Sequence, residues 1–180
     1  MDFIHLRTHT EFSVVDGTLR IDDAVQAARA DAQGALAITD LANVFGAVKF
    51  YKACRGAGVK PIIGVDLWMD PMPGSSDKLA SRLLVLVCDI TGWHNLCELL
   101  SRAWTGNLQR AQAWVRWEWL AELSDGLIAL SGADHGAVGT ALLGGDRPRA
   151  VAAAERLAGM FPDRFYIELQ RAAAPTHETQ

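Results

Sequence analysis

An α/β fold with a parallel sheet curling toward a barrel is what this chain predicts, and three observations carry that expectation. Short apolar runs alternate with stretches of helical period at intervals of about 20 to 40 residues, the rhythm of βαβ units. Several of those runs end in polar or acidic groups, among them Thr39-Asp40, Asp66 and Ser131-Gly132, the position where barrel enzymes keep their chemistry. No glycine-rich phosphate loop of the GxGxxG or GxxxxGK kind follows the first run, which sets a barrel above an open doubly wound sheet.

The 180 residues suffice for one domain, or a piece of one, with a sizeable core, since 50% of them are hydrophobic. No apolar run approaches the roughly 18 residues that cross a bilayer. The N-terminus also lacks a basic segment leading into an apolar one, so the chain is expected to be cytoplasmic, with no membrane partner. Cys54, Cys88 and Cys97 are widely spaced without a CxxC pair, which argues against a disulfide framework and a zinc knuckle and points to buried thiols. A formal net charge of −4 gives no general pull on nucleic acid. Lys49, Lys52, Arg55 and Lys60 form a local basic cluster that reads as a solvated helix face.

The first expected element is a strand from Phe3 to His9 that runs on toward Asp16-Gly17. Strand alternation would set His5, Arg7 and His9 on one side and Ile4, Leu6 and Thr8 on the other. Two histidines could ligate a transition metal, but the arginine between them is a fixed cation with no lone pair to offer. Asp22 caps a helix that reaches Gln33 and stops at Gly34. Ala35 to Ile38 is a short buried strand, and loop 41–46 leads into a helix from Ala47 to Gly56. Val59 to Asp66 is the third strand, its early Pro61 suited to a strand start. Pro71 to Lys78 is an exposed loop. Leu83 to Cys88 is the fourth strand, and Thr91 caps a helix whose Leu96, Leu99, Leu100 and Ala103 face the core. Residues 105–119 are irregular, and the nearby Trp104, Trp114, Trp117 and Trp119 are read as packing before binding surface. A helix from Glu118 to Leu123, a strand from Gly126 to Leu130, helices from Gly136 to Leu143 and Pro148 to Met160, and a sixth strand from Arg164 to Leu169 complete the series.

Several stretches carry a family resemblance: His5-Leu6-Arg7-Thr8-His9-Thr10-Glu11-Phe12-Ser13, Ala37-Ile38-Thr39-Asp40, Gly58-Val59-Lys60-Pro61-Ile62-Ile63-Gly64 and Phe161-Pro162-Asp163-Arg164-Phe165-Tyr166-Ile167-Glu168-Leu169. In order and along nearly the whole chain, they resemble the PHP (polymerase and histidinol phosphatase) domain found at the N-terminus of bacterial replicative DNA polymerase III alpha subunits. The resemblance implies a distorted (β/α) barrel with a multinuclear metal cleft, used in some members for phosphoester hydrolysis or proofreading. It implies that residues 1–180 form one PHP module, incomplete at its C-terminus, with the final strands and the last metal motif beyond Gln180.

Residue by residue, the resemblance implies a vestigial cleft. His9 and Asp16 stand at ligand positions. Arg7 takes the place of the first histidine of an HxH motif, Leu41 that of a histidine after Thr39-Asp40, and Asp66 that of a glutamate. Arg82 takes a later histidine position, and Ala133 one where cysteine is frequent. With His5 and Asp40 these residues make up the expected cleft, in which no catalytic residue and no metal is expected; His9 and Asp16 are the ligands if there are any. Arginine can hold a carboxylate such as Asp66 by paired hydrogen bonds, converting a metal site into a salt-linked structural core.

The leading expectation is therefore a catalytically silent scaffold within a polymerase. The partners implied are the proofreading exonuclease subunit and the remainder of the polymerase chain, with DNA reached only through that parent polymerase and its magnesium. The alternative is a phosphoesterase that uses His5, His9, Asp16 and Asp40 with zinc, manganese or iron.

Overall fold

The computed structural model describes residues 3–73 and 79–170. Helix α1 (Ile21–Ala30) buries Ile21, Ala24, Val25 and Ala28 at helical spacing and is followed by β1 (Ala35–Ile38), all four of whose residues are buried. Helix α2 (Ala47–Ala57) ends on Gly58, which sits in the left-handed region at φ 75°, where a residue without Cβ is least strained. Strand β2 (Lys60–Met69) runs parallel to β1, so β1, α2 and β2 form a βαβ unit.

Strand β3 (Ser81–Val87) lies antiparallel to β2, which corrects the expected parallel sheet. Residues 70–80 between them are rich in Pro and Gly and unsuited to the crossover helix a parallel neighbour requires. Helix α3 (Ile90–Gly106) then leads into a small hairpin, β4 (Leu108–Gln109) with β5 (Gln112–Val115), in the stretch expected to be irregular. Helix α4 (Trp117–Glu122) precedes β6 (Leu127–Leu130), antiparallel to β3, and helices α5 (Ala137–Leu143) and α6 (Arg147–Met160) cross over to β7 (Phe165–Tyr166), parallel to β6.

The strand order is β4-β5-β2-β3-β6-β7, with β1 on β2 beside this path. Among the described residues the sheet is mixed and open, yet the alternation of helices and strands holds. Its main core lies between the sheet and α3 to α6, where Leu67, Leu83, Leu96, Leu99, Trp117, Leu120 and Phe161 are almost wholly buried. A second core joins α1 and α2 to β1 through Ile21, Val25, Leu36, Phe50 and Cys54. Of the tryptophans, Trp117 is core while Trp104 stays 45% exposed. Of the cysteines, only Cys54 is buried.

Other boundaries moved for identifiable reasons. Helix α1 starts at Ile21 after Arg20, so Asp22 sits inside the first turn, where an acid favours the helix dipole without capping it. The chain leaves α1 at Asp31, short of Gln33. Helix α3 is capped by Asp89, whose carboxylate accepts the Gly92 N–H at 2.9 Å, not by Thr91. The sixth expected strand shortens to Phe165–Tyr166. Of the loop expected over 71–78, residues 74–78 lie outside the described residues.

The largest local correction concerns residues 3–9, which lie along β1 but are not a regular strand. Ala37 N–H donates to the His5 carbonyl at 3.0 Å and Thr39 N–H to the Thr8 carbonyl at 2.9 Å. Two residues on β1 thus match three on the first segment, an inserted residue of the bulge type, and alternation is lost between His5 and His9. The Thr39 hydroxyl takes the Thr8 N–H at 2.8 Å.

Candidate functional site: a guanidinium-carboxylate cleft

Asp66 is the centre of the site. It lies on β2 with no exposed surface, its backbone bracketed by the Ala42 N–H donating to its carbonyl and by the Asp40 carbonyl accepting its own N–H. On one face of the β2-β3 ladder Asp66 is followed by Trp68, and Trp68 is directly opposite Arg82. That register lets the Arg82 guanidinium stack 3.9 Å from the Trp68 ring centroid while Nη1 donates to Asp66 Oδ2 at 2.9 Å. Arg7 reaches the same oxygen through Nη1 and donates through Nε and Nη2 to both oxygens of Glu168, at 2.7 and 2.9 Å. Glu168 follows β7 and is fixed through its backbone N–H, which donates to the Ser131 hydroxyl at 3.0 Å. A bidentate fork therefore ties the first segment to the last.

His9 bridges the remaining acids. Its Nδ1 is 3.0 Å from Asp16 Oδ1, and its Nε2 lies 3.2 Å from Asp66 Oδ2, close enough for an ion pair but without an aligned hydrogen bond. Arg82 Nη2 closes the ring at 3.5 Å from Asp16 Oδ2. Once His9 carries a proton, three cations (Arg7, His9, Arg82) face three anions (Asp16, Asp66, Glu168).

The electrostatics follow from this geometry. Burial opposes charge on His9, yet Asp66 and Asp16 together hold its pKa above the ordinary value of 6.5. Burial likewise disfavours the Asp66 carboxylate, but His9, Arg7 and Arg82 hold its pKa below the ordinary 3.8. Asp66 Oδ1 is left buried with no hydrogen-bond partner among the described residues.

The other expected residues divide into neighbours and outsiders. Asp40 is buried but committed to a turn: its carboxylate accepts from the Thr10 N–H at 2.6 Å, the Thr10 hydroxyl at 2.9 Å and the Ser13 hydroxyl at 2.9 Å. That knot folds the loop carrying Asp16 back toward His9. Leu41 is buried and bridges to Asp66 through its backbone. His5 is exposed and packs edge-on against Phe3, 4.7 Å between ring centroids, and its ring makes no hydrogen bond or ion pair with Asp66 or Asp16 among the described residues. Ala133 opens a short 3-10 turn next to α5 and contributes no polar side chain. Glu168 went unrecognised as a site residue, although it is one of the two acids, with Asp163, within the motif-bearing stretch Phe161 to Leu169.

An open α/β sheet that gathers basic and acidic side chains from its first segment, the β2-β3 pair and the stretch after β7 defines a cleft-bearing domain. The chain belongs to the PHP domain family, whose model matches residues 5–172. It is 44% identical over 181 residues to DNA polymerase III subunit alpha of Pseudomonas fluorescens, a match that covers 99% of this chain and 15% of that protein. It is 40% identical over 177 residues to DNA polymerase III subunit alpha of Escherichia coli K12, covering 98% of this chain and again 15% of the relative. The chain thus spans about 15% of the length of these curated relatives. A solved amidohydrolase from Chromobacterium violaceum overlaps 87% of this chain and 49% of its own at 20% identity and a TM-score of 0.45.

Proposed function

We propose that this chain is the PHP module of a DNA polymerase III alpha subunit and that its cleft is a structural clamp without hydrolytic activity. The observation that carries this reading is the convergence of Arg7 and Arg82 on a single oxygen of Asp66. The metal ions of the family would need that oxygen, the His9 ring nitrogens and neutral or anionic donors around them. Here Asp66 Oδ2 is committed to two guanidinium groups, His9 Nδ1 to Asp16, and the Leu41 side chain offers no lone pair. Two permanent positive charges in the cleft also repel a divalent cation. The residues present do not fit the metals, and no water-activation step is derived through them.

On this reading nucleotide transfer and its magnesium belong to polypeptide outside these residues. The module serves as scaffold and as a docking face for a proofreading exonuclease subunit. The alternative set His5, His9, Asp16 and Asp40 draws no support from the geometry, since the Asp40 carboxylate is engaged by Thr10 and Ser13 and the His5 ring packs against Phe3.

The test is elemental analysis of the purified chain together with hydrolysis of p-nitrophenyl phosphate and of single-stranded DNA. The expected result is no stoichiometric zinc, manganese or iron and no turnover above background. Two or more tightly bound metals per chain, or metal-dependent turnover, would overturn the proposal.

A further inference from the structure

Trp114 is not part of the core that takes in Trp117. Strand β5 runs parallel to β2 with Trp114 directly beside Trp68, so the two half-buried indoles share one face of the sheet. They line a pocket of about 510 Å³, a size usual for small-molecule sites. The β4-β5 hairpin adds Gln109, Arg110 and Gln112 to its wall. In the two-residue turn Arg110-Ala111 both φ angles are positive, 49° and 66°, the twisted turn that sets Gln109 directly opposite Gln112. Hydrogen bonds then fix which way the amides face. Trp114 Nε1 can only donate and lies 3.2 Å from Gln112 Oε1, which leaves the Gln112 amide nitrogen as a donor. Asn107 Nδ2 donates to Asp70 at 2.8 Å and to the Trp114 carbonyl at 3.0 Å, so Asn107 Oδ1 accepts from Gln109 Nε2 at 3.2 Å. Gln109 Oε1 is thereby left as an acceptor. Among the described residues neither leftover amide atom has a hydrogen-bond partner, and Arg110 is exposed without an ion pair.

We propose that this pocket binds a purine mononucleotide, with the base stacked on Trp114 beside Trp68, its edge read by Gln109 and Gln112, and its phosphate held by Arg110. The indoles supply flat apolar surface, and stacking on such rings is a common way to hold an unpaired base. Arg82 occupies one face of Trp68, which makes Trp114 the principal platform. An acceptor and a donor on directly opposed residues match adenine, whose N6 amino group donates and whose ring nitrogens accept. A purely apolar ligand would leave both amides unsatisfied, and a neutral sugar would give Arg110 no charge to meet. A nucleic-acid strand fits less well than a single nucleotide: the chain carries a net charge of −4, the pocket lining holds one arginine, and tracking a strand takes a run of cations. The inference stands apart from the polymerase reading, since none of the five named side chains belongs to the guanidinium-carboxylate cleft.

The test is calorimetric titration of the 180-residue chain with dAMP, beside deoxyadenosine, maltose and a short oligodeoxyadenylate. The expected result is saturable dAMP binding with a Kd below about 1 mM. Trp114→Ala should weaken it by about tenfold, and Gln109→Ala/Gln112→Ala by about threefold or more. Arg110→Gln should weaken dAMP while leaving deoxyadenosine unchanged, which separates the phosphate contact from the base contacts. If Trp114→Ala proves misfolded by circular dichroism, the indole N–H resonances of the unaltered chain decide. Shifts on adding dAMP at Trp68 and Trp114, without shifts at Trp93, Trp104, Trp117 and Trp119, support the proposal, and any other pattern overturns it. No saturation by dAMP, equal affinity of the folded variants, or tighter binding of maltose or of the oligodeoxyadenylate than of dAMP would also overturn it.

Discussion

Asp66 illustrates how neighbouring cations can hold one buried carboxylate charged. Its single engaged oxygen meets Arg7, Arg82 and His9, and removing any of these strands negative charge in a site with no exposed surface. Arg7 matters most, because its fork also holds Glu168. Arg7→Ala should lower stability by about 3 kcal/mol, read as a shift of the urea midpoint at unchanged slope. A loss below about 0.5 kcal/mol, the range of ordinary surface changes, would remove the clamp from the account.

His9 adds a pH dependence at the same scale. Its pKa is higher in the folded chain than the ordinary 6.5, so its contribution is complete below 6.5 and fades as pH rises through the folded value. Asp66 behaves oppositely: its lowered pKa means that its contribution is present above 3.8 and is lost as pH falls through the folded value. The melting temperature should therefore decline from pH 6.5 upward in the unaltered chain and decline less in His9→Gln. Identical slopes would show that His9 is not held charged by its neighbours.

At the scale of elements, close backbone contacts decide which glycines can change. A Cβ on Gly92 would stand 1.9 Å from the Gly126 carbonyl oxygen, where the start of α3 meets the turn into β6. Gly92→Ala must move backbone and should cost about 2 kcal/mol or more. Gly56, in exposed α2 with nothing within 4 Å of its would-be Cβ, is the control: Gly56→Ala should stabilise by about 0.5 to 1 kcal/mol. Thermal unfolding of both variants checks the pair, and an unchanged Gly92→Ala would contradict the close approach.

The same scale shows what the residues made legible. The buried run Ala35–Ile38 and the stripe Leu96, Leu99, Leu100 and Ala103 carry their own periodicity, so both elements stand where expected. Strand direction does not show in periodicity, which is why β3 was expected parallel to β2. The inserted residue between His5 and Thr8 is equally silent, because it arises from matching one segment to another. Arg7, His9, Asp16, Asp66 and Arg82 were found from their motif positions and do come together. Glu168 was missed because its partner, Arg7, lies 161 residues away.

For the whole molecule, the clamp links the first described segment, the β2-β3 pair and the end of β7 around one charge-balanced centre. A groove of about 700 Å³ is lined by Leu6, Ile62, Leu86, Ile128 and Tyr166, and the Arg7–Glu168 fork ties the first segment to the residues after β7. No described helix is long and apolar enough to cross a membrane. The central claim is that guanidinium groups occupy the place of metal ions. It is tested most directly by the melting temperature with and without saturating manganese or zinc, in the unaltered chain and in Arg7→His/Leu41→His/Asp66→Glu/Arg82→His. The account predicts no metal response in the unaltered chain and a rise of about 5 to 10 °C in the fourfold variant, from a ligand that binds only the folded state. A metal-dependent rise in the unaltered chain, or a fall on adding chelator, would contradict it.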